Sequence, residues 1–259
     1  MYDYDLIEGA AGWVAARIGV WDEGARAALD YLAWLASDIQ RMACPHPLQR
    51  PGEQNDPERI DLGMAHGVAG VIFALSIGHE AYGGYSDPLR IAADRLCDYY
   101  LENHYGWPSS TGRSPGEGLR SAWCYGTPGV AAALIQTSRA LGDLTYEELG
   151  LRALHRLIDS PRSKWRLSDF ALCHGVAGNA LVFSRVAAVT GDEKLRLTAE
   201  ALFDEVAGSF DESTRFGYRA LDTMPDSPSF LTGVAGIGLA LLTNAGLCDA
   251  SWTRYLGLP

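Results

Sequence analysis

The sequence predicts an all-α protein folded as an α/α toroid (a barrel of repeated helical hairpins). Three observations carry this reading. The element G-x-x-G occurs five times in matching surroundings, each copy opens an apolar segment, and no convincing alternating strand pattern lies between copies. The copies are IEGAAGWVAA, AHGVAGVIFAL, CYGTPGVAAALI, CHGVAGNALVF and LTGVAGIGLALL. Their first glycines, Gly9, Gly67, Gly126, Gly175 and Gly233, stand 58, 59, 49 and 58 residues apart. Nothing marks a break in composition, so residues 1–259 are read as a single domain.

In chain order, the segment after Gly9 opens the first inner helix. Leu29, Leu32, Leu35 and Ile39 then mark one stripe, with Asp30, Ser37, Asp38 and Gln40 off it, which is an amphipathic outer helix. Val68–Leu75 is apolar nearly all round, the pattern of a helix buried on every side. Ser86-Asp87-Pro88 reads as a cap followed by proline at the first helical position, opening an outer helix through Leu101. Val130–Ile135 repeats the buried inner pattern. Asp192-Glu193 begins another outer helix, with Leu195, Leu197, Ala201 and Leu202 as its apolar side. The unit is a buried inner helix followed by an amphipathic outer one. Set side by side with inner helices together, such units close into a toroid, and the glycines let the chains crowd at one mouth.

Composition narrows the function. Apolar residues make up 47% and charged residues 20%, the profile of a soluble globular protein. A net charge of -11 argues against nucleic acid, because neutralising phosphates needs clustered Lys and Arg. No apolar run reaches membrane-spanning length, and MYDYDLIEGAAGW lacks the basic-plus-apolar secretory pattern. Five cysteines, an odd number, do not read as a disulfide framework. A cytoplasmic protein that uses some of its thiols for chemistry or metal is expected.

Aligning the repeats on the first glycine exposes what varies. The residue before it is Glu8, His66, Tyr125, His174 and Thr232, and the one before that Ile7, Ala65, Cys124, Cys173 and Leu231. Six residues before the glycine stand the charged groups Asp61, Arg120 and Asp169. In a ring these positions converge on one mouth. A single buried Cys or His would be read as packing. Cys124, Cys173 and His174 in matched register are two thiolates and an imidazole, the set expected of catalytic zinc with an open fourth position. Cys44, Cys97 and Cys248, with His46, His79, His104 and His155, lie off the motif and are read as ordinary packing or surface groups.

The segments LGMAHGVAG, RSAWCYGTPG, CHGVAG and FLTGVAGIGLALL, with the opening YDLIEGAAG, resemble the lanthionine synthetase C-like family, the cyclases of lanthipeptide biosynthesis. The resemblance spans essentially the whole chain. It implies an α/α toroid with zinc at one mouth, and addition of peptide cysteine thiols to dehydroalanine or dehydrobutyrine, forming thioether rings. Carried over by motif, the zinc ligands fall on Cys124, Cys173 and His174, and the acid/base histidine on His66. Arg120 and Tyr125 flank the first zinc cysteine as catalytic residues, and Asp5 is the aspartate of the early motif. The implied partners are a dehydrated precursor peptide and a lanthipeptide dehydratase. The competing reading is a zinc-binding member that kept the fold and lost turnover, acting as a scaffold or peptide-binding protein; His66 and Arg120 beside the full ligand set favour the enzyme. A glycosidase or terpenoid cyclase on an α/α barrel would call for acidic clusters at the mouth instead. Family members usually carry seven hairpins, and five are visible here. The expectation is therefore an arc with apolar walls, open to self-association unless it closes on its own or another chain fills it.

Overall fold

The structure, a computed structural model, describes residues 3–19, 23–43, 59–101, 106–112, 120–167, 169–218 and 227–259. Cys44, His46 and His104 lie outside the described residues. Five inner helices each start directly after the first glycine of a repeat: α1 (Ala10–Arg17), α3 (Val68–Tyr82), α5 (Thr127–Leu141), α7 (Val176–Thr190) and α9 (Val234–Asn244). The outer helices are α2 (Glu23–Ala36), α4 (Ser86–Asp98), α6 (Leu144–Ile158) and α8 (Glu193–Gly208). Inner helices pack in the order α1, α3, α5, α7, α9, and outer helices in the order α2, α4, α6, α8, as in an α/α toroid. Among the described residues, extended pairing is limited to two isolated bridges, Asp61 with Ser110 and Leu101 with Gly106.

The glycine pair has a specific steric cause. None of the inner helices has a side-chain cap. The preceding loop doubles back instead, and its own carbonyls take the first free N–H groups of the helix. Ala10 N–H donates to the Asp3 carbonyl (2.8 Å), and Val68, Val176 and Val234 donate to Asp61, Asp169 and Ser227 (2.9 Å each), the same spacing every time. A loop lying this close leaves no room for side chains. A Cβ at Gly67 would sit 2.3 Å from the Asp61 carbonyl oxygen, and one at Gly236 would sit 1.9 Å from that of Phe230. Gly67 has φ of -133°, open to any residue, so close approach and not handedness requires glycine there. Gly126, with φ of 109°, requires glycine on both counts.

Several element boundaries and faces differ from the expectation. Helix α4 ends at Asp98, not Leu101, because Tyr99 and Tyr100 tighten the last turn and the Leu101 N–H goes to the Gly106 carbonyl. Ser86 lies inside that helix and does not cap it; Tyr85 precedes it, with its N–H on His79 Nδ1 (3.2 Å). Asp192 does cap α8, accepting from the Leu195 N–H. Leu197 and Ala201 are exposed, however, Leu197 by 52%, and the buried stripe is Leu195, Ala199, Leu202, Phe203 and Val206. That set keeps the 3.6-residue period, which the apolar residues at 197 and 201 break. Leu29, Leu32 and Leu35 line the buried face of α2, whereas the buried Ile39 belongs to a separate 3-10 turn, Ile39–Met42.

Burial also varies around the arc. Helices α3, α5 and α7 bury most of their length, but α1 and α9 bury three residues each, so apolar pattern alone overstated their enclosure. Trp13 on α1 is 49% exposed and Leu242 on α9 47%. The C-terminal stretch partly ties the arc together. Leu256 and Leu258 are buried, the Leu256 carbonyl accepts from Trp123 Nε1 (2.6 Å), and Arg185 donates to the Pro259 carbonyl. Gly257 lies against Met64 and Leu6, so this stretch touches four repeats.

Two outcomes follow. Gly236→Ala should destabilise the fold by about 1–3 kcal/mol through overpacking, while Gly238→Ala on the same helix, with nothing within 4 Å of its Cβ, should gain up to about 1 kcal/mol. Thermal melts of the two variants check this, and equal effects would refute the steric account. The exposed flanks of α1 and α9 should make the 28.0 kDa chain self-associate. Light scattering after size exclusion reads this directly, and a stable monomer would mean that the C-terminal stretch suffices to close the arc.

Candidate active site

The five loops that precede the inner helices meet at one mouth, joined by backbone hydrogen bonds between equivalent positions. Ala65 N–H donates to the Cys124 carbonyl (3.2 Å), Cys124 N–H to Cys173 (3.2 Å) and Cys173 N–H to Leu231 (2.8 Å). From the first repeat the donor is offset by one residue: Leu6 N–H, before the equivalent Ile7, bonds to the Ala65 carbonyl (3.1 Å). Because Cys124 and Cys173 occupy the same place in successive loops, this link sets their side chains together.

The Cys173 side chain, lying beside it, draws the Cys124 thiol down to about 7 against the cost of burial, helped by Arg120, His174 and the Tyr125 backbone N–H. Cys173 is pushed up in consequence, by its interaction with Cys124 and by burial. The pair thus holds one thiolate near neutral pH, and Arg120 supplies positive charge beside it.

Each polar ring at the mouth rests on a carboxylate. His66 Nδ1 lies 2.7 Å from Asp5 Oδ2, whose other oxygen accepts the Ile7 and Glu8 N–H groups. His174 Nδ1 lies 2.8 Å from Asp169 Oδ2, whose other oxygen accepts the Ala171 N–H. The Tyr125 hydroxyl donates to Asp61 Oδ2 (3.3 Å), and its ring is tilted against that of His66 with centroids 6.2 Å apart. A carboxylate only accepts, so both neutral imidazoles carry their proton on Nδ1 and present Nε2 as an acceptor or ligand. Burial disfavours a charged His66, but Asp5, with Asp61 and Cys124 beyond it, more than compensates, and the ring titrates above the ordinary imidazole value. His174 is raised as well, chiefly by Asp169.

All seven residues singled out from the sequence therefore lie around this mouth: Cys124, Cys173, His174 and Arg120 in one group, His66, Asp5 and Tyr125 in the other, with His66 sensing the Cys124 charge. Among the described residues, no three His, Cys, Asp or Glu side chains are gathered closely enough to hold a metal ion as placed. The donor chemistry nonetheless fits a zinc ion: two neighbouring thiols, and an imidazole held through Nδ1 by a carboxylate. The sequence flagged Asp61 and Asp169 as charged groups in one register but gave them no role. Their shared position before the glycine was the available signal, and their partners lie across the fold or along the loop.

A protein-family model described as lanthionine synthetase C-like protein matches residues 2–256. The chain is 33% identical over 182 residues to the Danio rerio protein titled glutathione S-transferase LANCL1, covering 68% of this chain and 40% of that one. It is 21% identical over 202 residues to nisin biosynthesis protein NisC of Lactococcus lactis subsp. lactis, covering 68% of this chain and 47% of that one. It thus spans less than half the length of these two relatives. The structure of a nisin cyclase superposes with a TM-score of 0.78 at 20% identity, over 98% of this chain and 66% of that one, a likeness of fold.

The Asp5–His66 pair makes a titration prediction. A folded-state value above the unfolded one means that His66 contributes stability below the unfolded value, lost as pH rises through the folded one. In Asp5→Asn, burial acts without its nearest counter-charge, so His66 should titrate lower and that pH-dependent stability should shrink. An NMR titration of the ring in both proteins tests this; identical midpoints would refute the pairing.

Proposed function

This chain belongs to the lanthionine synthetase C-like family, and we propose that it is a zinc-dependent cyclase acting on a dehydrated peptide. The observation that carries the reading is the Cys124–Cys173 pair, joined through its backbone and flanked by two carboxylate-held imidazoles at one mouth. Cys124, Cys173 and His174 would hold the metal. Bound zinc would supply the charge that keeps an incoming cysteine as thiolate near neutral pH.

The remaining chemistry belongs to the chain's own side chains. A substrate sulfur bonds to the β-carbon of dehydroalanine or dehydrobutyrine, and the alkene pair moves onto the carbonyl as an enolate. Arg120, already beside the thiol pair, stabilises that negative charge. His66, charged over a wider pH range than an ordinary imidazole, delivers the proton to the α-carbon, and Asp5 orients it. Tyr125, anchored on Asp61 and next in chain to Cys124, sets its ring against that of His66. Thiol plus alkene gives thioether, with no oxidant or reductant consumed. The reading implies a dehydratase that supplies the alkene, and cytoplasmic residence, where thiols stay reduced. No helix among the described residues is long and apolar enough to cross a membrane.

The second reading is a zinc-binding peptide scaffold without turnover, favoured by the half-exposed flanks of α1 and α9, which suit docking. The name of the zebrafish relative points to glutathione as a thiol donor, so glutathione belongs beside the peptide as a test substrate. The purified chain should hold about one zinc, lost in Cys173→Ala. His66→Asn should keep zinc and lose about 10²–10⁴-fold in cyclisation rate. Wild-type cyclisation should fall as pH rises through the His66 value, since the proton is then gone. Zinc binding with no turnover of any dehydrated peptide supports the scaffold, and full activity in His66→Asn removes that residue from the mechanism.

A further inference from the structure

We propose that Asp169 is a positioning residue that fixes the tautomer of His174 and thereby sets the strength of the metal site; the metal part of this rests on the zinc reading above. Position 169 has two separable jobs. Its carbonyl accepts the Val176 N–H at the start of α7, a task done equally by Asp3, Asp61 and Ser227 in other repeats. Ser227 shows that this capping needs no carboxylate. The Asp169 side chain does something else: Oδ1 is pinned by the Ala171 N–H at 2.9 Å, and Oδ2 faces His174 Nδ1 at 2.8 Å.

The loop is shaped around that carboxylate. A Cβ at Gly175 would lie 2.3 Å from Asp169 Oδ1, so glycine there leaves room for the side chain as well as for the backbone. The Asp169 side chain is only 10% exposed and that of His174 15%, so water offers a poor substitute for either partner. In the second repeat, the other one with a histidine before its glycine, the equivalent side chain faces elsewhere. Asp61 takes the Tyr125 hydroxyl, and His66 draws its carboxylate from Asp5 of the preceding repeat. The pairing within one loop is thus particular to the repeat whose histidine stands beside the thiols.

With Nδ1–H committed to Asp169, Nε2 keeps its lone pair for a metal, and the ring is held against rotation. Asp169→Asn is nearly isosteric and keeps an oxygen for the Ala171 N–H. Its amide, however, can donate to Nδ1, which moves the ring proton to Nε2 and blocks the ligand position.

Two measurements on the full chain test this. Long-range ¹H–¹⁵N NMR of the zinc-free protein, at a pH that leaves the ring neutral, should find the His174 proton on Nδ1 in the wild type and shifted toward Nε2 in Asp169→Asn. Chelator competition should find zinc bound about 10–100-fold more weakly by the variant. The zinc-free melting temperature should stay within a few degrees, so that loss of affinity is not loss of fold. If Asp169→Asn unfolds, Asp169→Glu is the second variant, expected to retain the Nδ1 tautomer. An unchanged tautomer in Asp169→Asn overturns the positioning role. An unchanged affinity in a zinc-binding wild-type background overturns the metal consequence while the zinc reading stands. A wild type that binds no zinc overturns the zinc reading and, with it, the metal consequence, and leaves the tautomer result to decide the rest.

Discussion

A run of backbone hydrogen bonds at the mouth is the constraint on which the rest depends. Leu6, Ala65, Cys124, Cys173 and Leu231 come from five different loops, yet their peptide groups are bonded one to the next. The peptide group is common to every residue, so these links can recur in each repeat whatever side chain stands there. The scaffold is thus held by what the repeats share. The side chains at and beside the linked positions are left free to differ, and this is where the thiols, the imidazoles and the tyrosine are found.

The same economy appears where each inner helix begins. Capping by the loop's own carbonyl removes any need for Ser, Thr or Asp at the N-cap. Its cost is steric, and the glycine pair meets it. Polar side chains that would otherwise be drawn to helix starts are released for the mouth. Asp5, Asp61 and Asp169 are placed there in an acidic chain, where each lies opposite a hydrogen-bond donor on a histidine or tyrosine. Buried carboxylates are tolerable only when paired in this way.

The arc also explains why equal apolar patterns have unequal burial. Helices α3, α5 and α7 have an inner neighbour on each side, while α1 and α9 stand at the ends of the described series. The C-terminal stretch compensates in part, because Leu256 and Leu258 fill space between repeats that are distant in sequence.

Much of this was legible in the sequence. Five G-x-x-G copies with apolar runs gave the all-α repeat and its register, since close approach at a helix start excludes every side chain and leaves glycine as a visible trace. The same register brought Cys124, Cys173, His174, His66 and Tyr125 to one place, because residues equivalent in a ring must converge. What sequence could not supply was pairing across that ring. Whether His66 rests on Asp5 or Asp61 depends on which loop crosses which, and Asp5, four residues before its glycine where Asp61 stands six before, is out of that register. Helix faces failed for a related reason: Leu197 and Ala201 are apolar by composition, but only the direction of neighbouring helices decides which side is covered. Repetition is written locally, along the chain, whereas partners are chosen by distances that exist only after the loops have closed on one another.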